Sequence, residues 1–292
     1  MNIKNSVTEK TNMVLINEDD TTIDNEFLVE KAKKISSETG IPLKMIYSNA
    51  LYQFTNRWHK IDGEWYFFKK GSDRNLLNEL LGEQISKYFN LETAEYNLAK
   101  IEAKESKTKN ENVDYGVVTK NICSSDKEYL TAWDIPILYQ SDLSYLDKFK
   151  SCCKTEEEYK KLLRDLKKLC IRDFYSLQLD RRGNNILFAK TEEGIRLAPL
   201  YDNENAFEAQ YPYIYRNHFG ALSLRNHATK KNVINDDDFQ ELLNKLMDAS
   251  IDKFMEKVED QQQILIPKEE KNFYRKKEKS LKKEVAYNRV IR

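Results

Sequence analysis

The apolar positions of this chain fall into two regimes. Between residues 43 and 130 they mostly alternate, the period of half-buried strands; from residue 156 onward they recur every three to four residues, the period of helices. In the first regime Trp58–Ile61 and Glu64–Lys69 flank Asp62-Gly63, a pair suited to a type I′ turn, so a hairpin is expected there. The second strand reads Trp65-Tyr66-Phe67-Phe68-Lys69-Lys70. It places Trp65, Phe67 and Lys69 on one face and Tyr66, Phe68 and Lys70 on the other. After Gly71 the pattern predicts a helix, LLNELLGEQISKYFN, with Leu76, Leu77, Leu80, Leu81, Ile85 and Phe89 as its apolar stripe. Glu79 and Glu83 lie four apart beside the stripe; Glu83 reads as exposed, whereas a carboxylate here could pair with the strand lysine. Further strands are expected at 94–101 and 115–119, with a polar loop at 103–112 between them.

The flanks are simpler. Residues 1–23 read as a polar arm with one short strand at 13–16, and Asp24 suits the N-cap of FLVEKAKKI. Phe27, Leu28, Ala32 and Ile35 share a face of that helix, which is expected to pack on the body. The second regime opens with a helix over 156–179, its inward positions Leu162, Leu163, Leu166, Leu169, Cys170, Phe174 and Leu177. Two short strands, 186–189 and 195–200, follow around the turn Lys190-Thr191-Glu192-Glu193-Gly194. A helix opening on a triple Asp at 236–238 comes next. The stretch from Pro267 to Arg292 carries ten Lys/Arg against four Glu and reads as a last helix with a solvated basic face.

Composition narrows the function class. With 292 residues and 40% hydrophobic content the chain can bury a substantial core. Forty-eight basic side chains balance 48 acidic ones, which argues against nucleic acid or a membrane surface as the main partner. No run reaches the roughly 20 apolar residues of a membrane span, and no secretory signal is visible at the N-terminus. Cys123, Cys152, Cys153 and Cys170 form no C-x-x-C pair and read as small hydrophobes in a reduced, cytoplasmic setting.

The chemistry concentrates at residues 171–207. Asp180 and Asn185 stand five apart in DRRGNN, and Asp202 follows the second short strand in LYDNE. A loop Asp, an Asn five on and an Asp after a hairpin is the layout of protein-kinase-like enzymes. There the first Asp takes the proton of the attacking hydroxyl, and the Asn and the later Asp hold Mg²⁺ against the phosphates of ATP. Such an enzyme also needs a strand lysine under an apolar adenine pocket, and Lys69 or Lys70 could supply it.

Four segments carry a resemblance to the HipA-type kinases, a bacterial Ser/Thr kinase family distantly related to phosphoinositide kinases: WYFFKKG, NELLGEQISKYFNLETAEY, DRRGNNILF and RLAPLYDNENAF. Their order and spacing fit across residues 48–210, on the pattern of the compact, stand-alone members. Arg182 stands where the family often has His, and no glycine-rich loop is visible. The resemblance implies an α+β, bilobal protein-kinase-like fold. An arm and helix (1–42) would precede a β-rich N-lobe (43–132) and a mainly helical C-lobe (133–292). It implies Lys69 on the α/β-phosphates of ATP, with Lys70 as runner-up, Glu79 orienting that lysine, Asp180 at the acceptor, and Asn185 and Asp202 on Mg²⁺. Phe67 would line the nucleotide, and Ser48, in Ser48-Asn49-Ala50, would cover the phosphates. Gln178 and Arg182 would assist. The implied activity is γ-phosphate transfer to Ser/Thr hydroxyls of a protein, with autophosphorylation, in a toxin or a secreted effector, with an antitoxin or a host protein as partner. Two alternatives stay open: a phosphoinositide or small-molecule kinase with a different acceptor surface around 208–232, and a catalytically silent nucleotide-binding module.

Overall fold

The computed structural model describes residues 13–17, 25–43, 57–102, 114–135, 145–178, 181, 183–207 and 237–290. Ser48, Asp180 and Arg182, and the acceptor surface expected around 208–232, lie outside them.

Five strands, β1 (Val14–Asn17), β2 (Trp58–Ile61), β3 (Glu64–Lys69), β4 (Tyr96–Glu102) and β5 (Asp114–Lys120), form one sheet in the order β1-β4-β5-β3-β2. β1 runs parallel to β4; the other pairs are antiparallel. The β2–β3 hairpin turns on Asp62 and Gly63 at φ 50° and 85°, the two left-handed positions that a type I′ turn demands. The alternation read in β3 is realised. Phe68 packs with Ala99 and Val118 on one face, while Trp65 and Phe67 turn to the other. A second sheet, β6 (Tyr129–Thr131), β7 (Leu187–Thr191) and β8 (Gly194–Leu197), is antiparallel throughout.

The helices are α1 (Asn25–Thr39), α2 (Asp73–Tyr88), α3 (Tyr145–Ser151), α4 (Glu156–Tyr175), α5 (Asp237–Asp248), α6 (Ile251–Gln262) and α7 (Lys268–Val290). Ser72 caps α2 by accepting from the Asn75 amide, and the Asn75 side chain answers by accepting from the Ser72 amide. From Leu76 to Ser86 every residue of α2 is buried, so it is a central helix and not a surface one. Glu83 is therefore buried, against the exposure expected from its position beside the stripe. It accepts from the Tyr96 amide at 2.7 Å and from Lys87 Nζ at 2.8 Å, and so joins α2 to the start of β4.

Helix α4 stops at Tyr175, four residues short of the expected end. The Gln178 amide donates to the Asp173 carbonyl and the Leu177 amide to the Phe174 carbonyl, the paired bonds of a Schellman stop. Leu177 takes the left-handed position, φ 50°, where glycine is usual. That conformation costs about 1–2 kcal/mol. Leu177 is only 2% exposed, and burying its side chain contributes about 1.5–3 kcal/mol, enough to offset the cost.

Two further elements tie the lobes together. The connection 121–128 leads from β5 of the large sheet to β6 of the small one, and α1 lies along it. Asn121 Nδ2 donates to the Thr39 carbonyl, and a Cβ at Gly40 (φ 77°) would fall 2.3 Å from the Ser124 carbonyl. Ala32, Ile35 and Ile41 enter one apolar cluster with Trp58 and Trp65 of the large sheet and Leu187 and Ala198 of the small one. Behind α2 runs α7. Arg74 pairs with Glu270, and Tyr274 Oη donates to Asn78 Oδ1 at 2.8 Å. Arg275, Lys276, Lys279 and Lys283 face outward. Cys123 and Cys170 are buried, and no disulfide joins any of the four cysteines; burial pushes the Cys123 thiol up to about 12. No described helix is long and apolar enough to cross a membrane.

Candidate active site

The end of β3, the middle of α2 and the chain after β8 meet at one ammonium group. Lys69 Nζ donates to Glu79 Oε1 at 2.6 Å, to Asp202 Oδ1, and lies 3.0 Å from Glu204 Oε2. Lys70, one residue on, is exposed. Burial works against the charge on Lys69, but Glu79 and then Asp202 outweigh it and hold its pKa well above the ordinary lysine value. It is a permanent cation at neutral pH. Both oxygens of Glu79 are engaged, because Oε2 accepts from the Asn203 amide at 2.7 Å.

Local structure explains how Asp202 arrives there. Leu200 pairs with the turn after α2: its amide donates to the Glu92 carbonyl, and its own carbonyl accepts from the Ala94 amide at 2.7 Å. Asp202 then adopts φ 59°, a left-handed conformation that Asp tolerates better than most side chains. Its amide donates to Tyr96 Oη and its carbonyl accepts from Gln178 Nε2 at 2.9 Å. Two amide side chains of α2, Asn75 and Asn78, both donate to the Glu204 carbonyl.

Beneath this lies a buried ionic network. The Asp173 carboxylate accepts from Arg172 Nη1 at 2.8 Å and from Arg181 Nε and Nη2 at 3.1 and 3.2 Å. Burial opposes ionisation of Asp173, yet Arg181 and Arg172 prevail and hold its pKa below the usual carboxylate range. Arg181 Nη1 donates to the carbonyls of Asn185 and Tyr201 at 3.2 and 2.7 Å, fastening the loop that ends in the Gly183–Asn185 turn to the residue before Asp202.

Lys69, Glu79 and Asp202 are thus brought together; Asn185 is buried, and its carbonyl shares Arg181 Nη1 with the carbonyl of Tyr201. Phe67, two residues before Lys69, packs against the cluster that contains Leu187 and Ala198. Sequence reading missed Glu204, Asn203 and the Arg172–Asp173–Arg181 network. One overlooked signal was Gly82, a lone glycine in a helical run. A Cβ there would sit 2.5 Å from Asn203 Cβ and Cγ and 2.9 Å from Arg172 Nη2. Gly82→Ala gains about 1 kcal/mol of helix propensity but overpacks at about 1–3 kcal/mol, so thermal denaturation should show a net loss of stability. A stabilised variant would mean that α2 and the Asp202 loop are not in contact at this point.

Among the described residues, the group of His, Cys, Asp or Glu side chains placed to hold a metal is Glu79, Asp202 and Glu204, with ligand oxygens within 4.8 Å of one another. An all-carboxylate set suits a hard cation such as Mg²⁺. With Glu79 held by Lys69 and Asn203, Asp202 and Glu204 are the two able to turn to it.

No protein-family model matches the chain, and no curated protein does. Among solved structures, the Helicobacter pylori proinflammatory kinase CtkA superposes with a TM-score of 0.55 at 14% identity, over 80% of this chain and 93% of that one. HipA of Shewanella oneidensis MR-1, solved with HipB and operator DNA as a toxin–antitoxin system, gives 0.45 at 11% identity, over 76% of this chain and 57% of that one. The chain has the fold of the CtkA kinase, the bilobal α+β architecture expected from its sequence.

Proposed function

We propose that this protein is an ATP-dependent kinase that transfers the γ-phosphate to Ser/Thr hydroxyls of a protein, its own included, in a toxin or effector role. The observation that carries this reading is the Lys69–Glu79 ion pair closed against Asp202. A lysine oriented by a helix carboxylate, and so placed against a second carboxylate after a hairpin, has the parts that hold nucleotide phosphates. Lys69 binds the α/β-phosphates, Glu79 keeps it extended, and Phe67 lines the base. Asp180 orients the acceptor hydroxyl and takes its proton. Asn185 and Asp202, with Glu204 beside them, would hold Mg²⁺, which neutralises the phosphate oxygens as charge moves to the leaving group. The residues position and neutralise; phosphoryl transfer asks for little covalent help.

The test is incubation of pure protein with γ-labelled ATP, alone, with lysate protein and with lipid vesicles. Label on Ser or Thr of a protein is expected. Label on lipid alone would replace the protein acceptor with a phosphoinositide, and no label in any arm would leave a silent nucleotide-binding module. Metal and nucleotide should also depend on each other. Asn185, Asp202 and Glu204 give Mg²⁺ too few ligands until phosphate oxygens complete its shell. Thermal stabilisation should therefore need ATP and Mg²⁺ together, and a full shift with ATP in EDTA would remove the metal from this site.

A further inference from the structure

Arg172 lies in the last turn of α4 and is fully buried, and its five donated bonds reach three separate pieces of chain. On α2 it donates through Nε to Ser86 Oγ and through Nη2 to the Gly82 carbonyl, both at 3.0 Å. On the Asp202 loop, Nη2 donates to Asn203 Oδ1 at 2.5 Å. On its own helix, Nη1 donates to Asp173 Oδ1 at 2.8 Å and to Ser176 Oγ at 3.3 Å.

None of these partners depends on Arg172 for its hydrogen bonding. Asp173 Oδ1 and Asn203 Oδ1 both accept from Arg181 Nη2. The Gly82 carbonyl accepts from Ser86 Oγ at 2.7 Å, so that hydroxyl keeps its own bond. Ser176 Oγ still has the Asp173 carbonyl at 3.5 Å. Nor is Arg172 needed to neutralise Asp173, which is already paired with Arg181. What Arg172 adds is a further tie between α2 and the Asp202 loop, beside the bonds from Asn75 and Asn78 to Glu204 and from Asn203 to Glu79. Asn203 is the residue at which that tie reaches the site, since its side chain accepts from Arg172 while its amide donates to Glu79.

We propose that Arg172 is a positioning residue for phosphoryl transfer: it locks Asn203 against α2 and so fixes the Glu79 carboxylate that aims Lys69. This deepens the kinase reading and rests on it for the part that concerns catalysis; the positioning of Lys69 itself is testable without nucleotide. The probe is acetic anhydride in the absence of ATP, with acetylation of Lys69 and of the exposed Lys276 compared by mass spectrometry. Lys69 is mostly buried and closed on Glu79, so it is shielded from the reagent. Arg172→Met should raise Lys69 acetylation relative to Lys276 several-fold, because a Lys69 released from Glu79 opens to the reagent. Glu79→Gln should do the same. Combined, the two should give no more than the larger single effect, because Arg172 acts through Glu79. A purely structural arginine would lower the melting temperature and leave Lys69 protected, or its effect would multiply with that of Glu79→Gln; either result overturns the proposal. Should Arg172→Met fail to fold, Ser86→Ala removes one of the ties on α2 and takes its place. The same direction at a smaller size is then expected, and unchanged Lys69 protection overturns the proposal. Label transfer on the same set separates the two readings. If the wild type transfers no phosphate, the kinase assignment falls, while the acetylation cycle still decides what Arg172 does.

Discussion

Lys69→Met should reduce phosphoryl transfer by about 10²–10³ or more, the size expected for removing a preorganised charge from developing phosphate oxygens. Lys70→Met should retain most of the activity, because Lys70 is exposed while Lys69 closes on Glu79, Asp202 and Glu204. The substitution has a second effect, on the protein without nucleotide. Glu79 is fully buried and would keep only the Asn203 amide as a donor. Removing one partner of a buried pair costs about 3–5 kcal/mol, and here the lower end applies, since Asp202 and Glu204 remain partly open to water. Three carboxylates without their ammonium also form a better cation site, so Mg²⁺ alone should raise the melting temperature of Lys69→Met more than that of the wild type. Label transfer and a magnesium titration by thermal melt measure both effects. Loss of activity in Lys70→Met with Lys69→Met active would mean that β3 is shifted by one residue, which turns every side chain to the other face.

The second large effect separates two aspartates. Asp202→Asn keeps the size of the side chain and the left-handed backbone, since Asn accepts φ near 59° as readily as Asp does. Lys69 retains Glu79 and Glu204, so the fold should survive. On the proposed reading what is lost is a charge on the metal, and calorimetry should show Mg²⁺–ATP binding weakened together with transfer. On the proposed reading Asp180→Asn acts at the acceptor. It should bind Mg²⁺–ATP like the wild type and transfer phosphate about 10²–10⁴ times more slowly, the range for a positioned acid–base group. If both variants bind and transfer like the wild type, the kinase assignment is wrong.

Local chemistry made much of this legible from sequence. Asp62-Gly63 set the hairpin, and strict alternation along Trp65–Lys69 placed the lysine on the same side as Trp65. DRRGNN and LYDNE marked the two ends of the second hairpin. What sequence could not show was contact across distance. Glu83 looked exposed because one of its donors, the Tyr96 amide, is thirteen residues away and belongs to another element. Arg172 and Asp173 carried no signal in the sequence, because Arg181, Asn203 and Gly82 come to them only when the chain has folded. Leu177 was read into the helix as an inward leucine. It is inward, but at the position that ends the helix, where burial overrides a backbone preference that would have called for glycine.

Helix α1 belongs to neither lobe by its contacts. Glu38 accepts from Trp65 Nε1 and Lys60 Nζ on the large sheet, Thr39 and Gly40 grip the connection between the sheets, and Ala32, Ile35 and Ile41 share their cluster with Leu187 and Ala198 below. Such a splint changes how the lobes can part. Two lobes joined only by a strand-to-strand connection can part by rotating a few backbone dihedrals. Here, parting them also means exposing apolar surface around two tryptophans, an activated event and not free diffusion. On the proposed kinase reading, any opening of the lobes that lets spent nucleotide leave carries this added cost, and product release is the step it would slow.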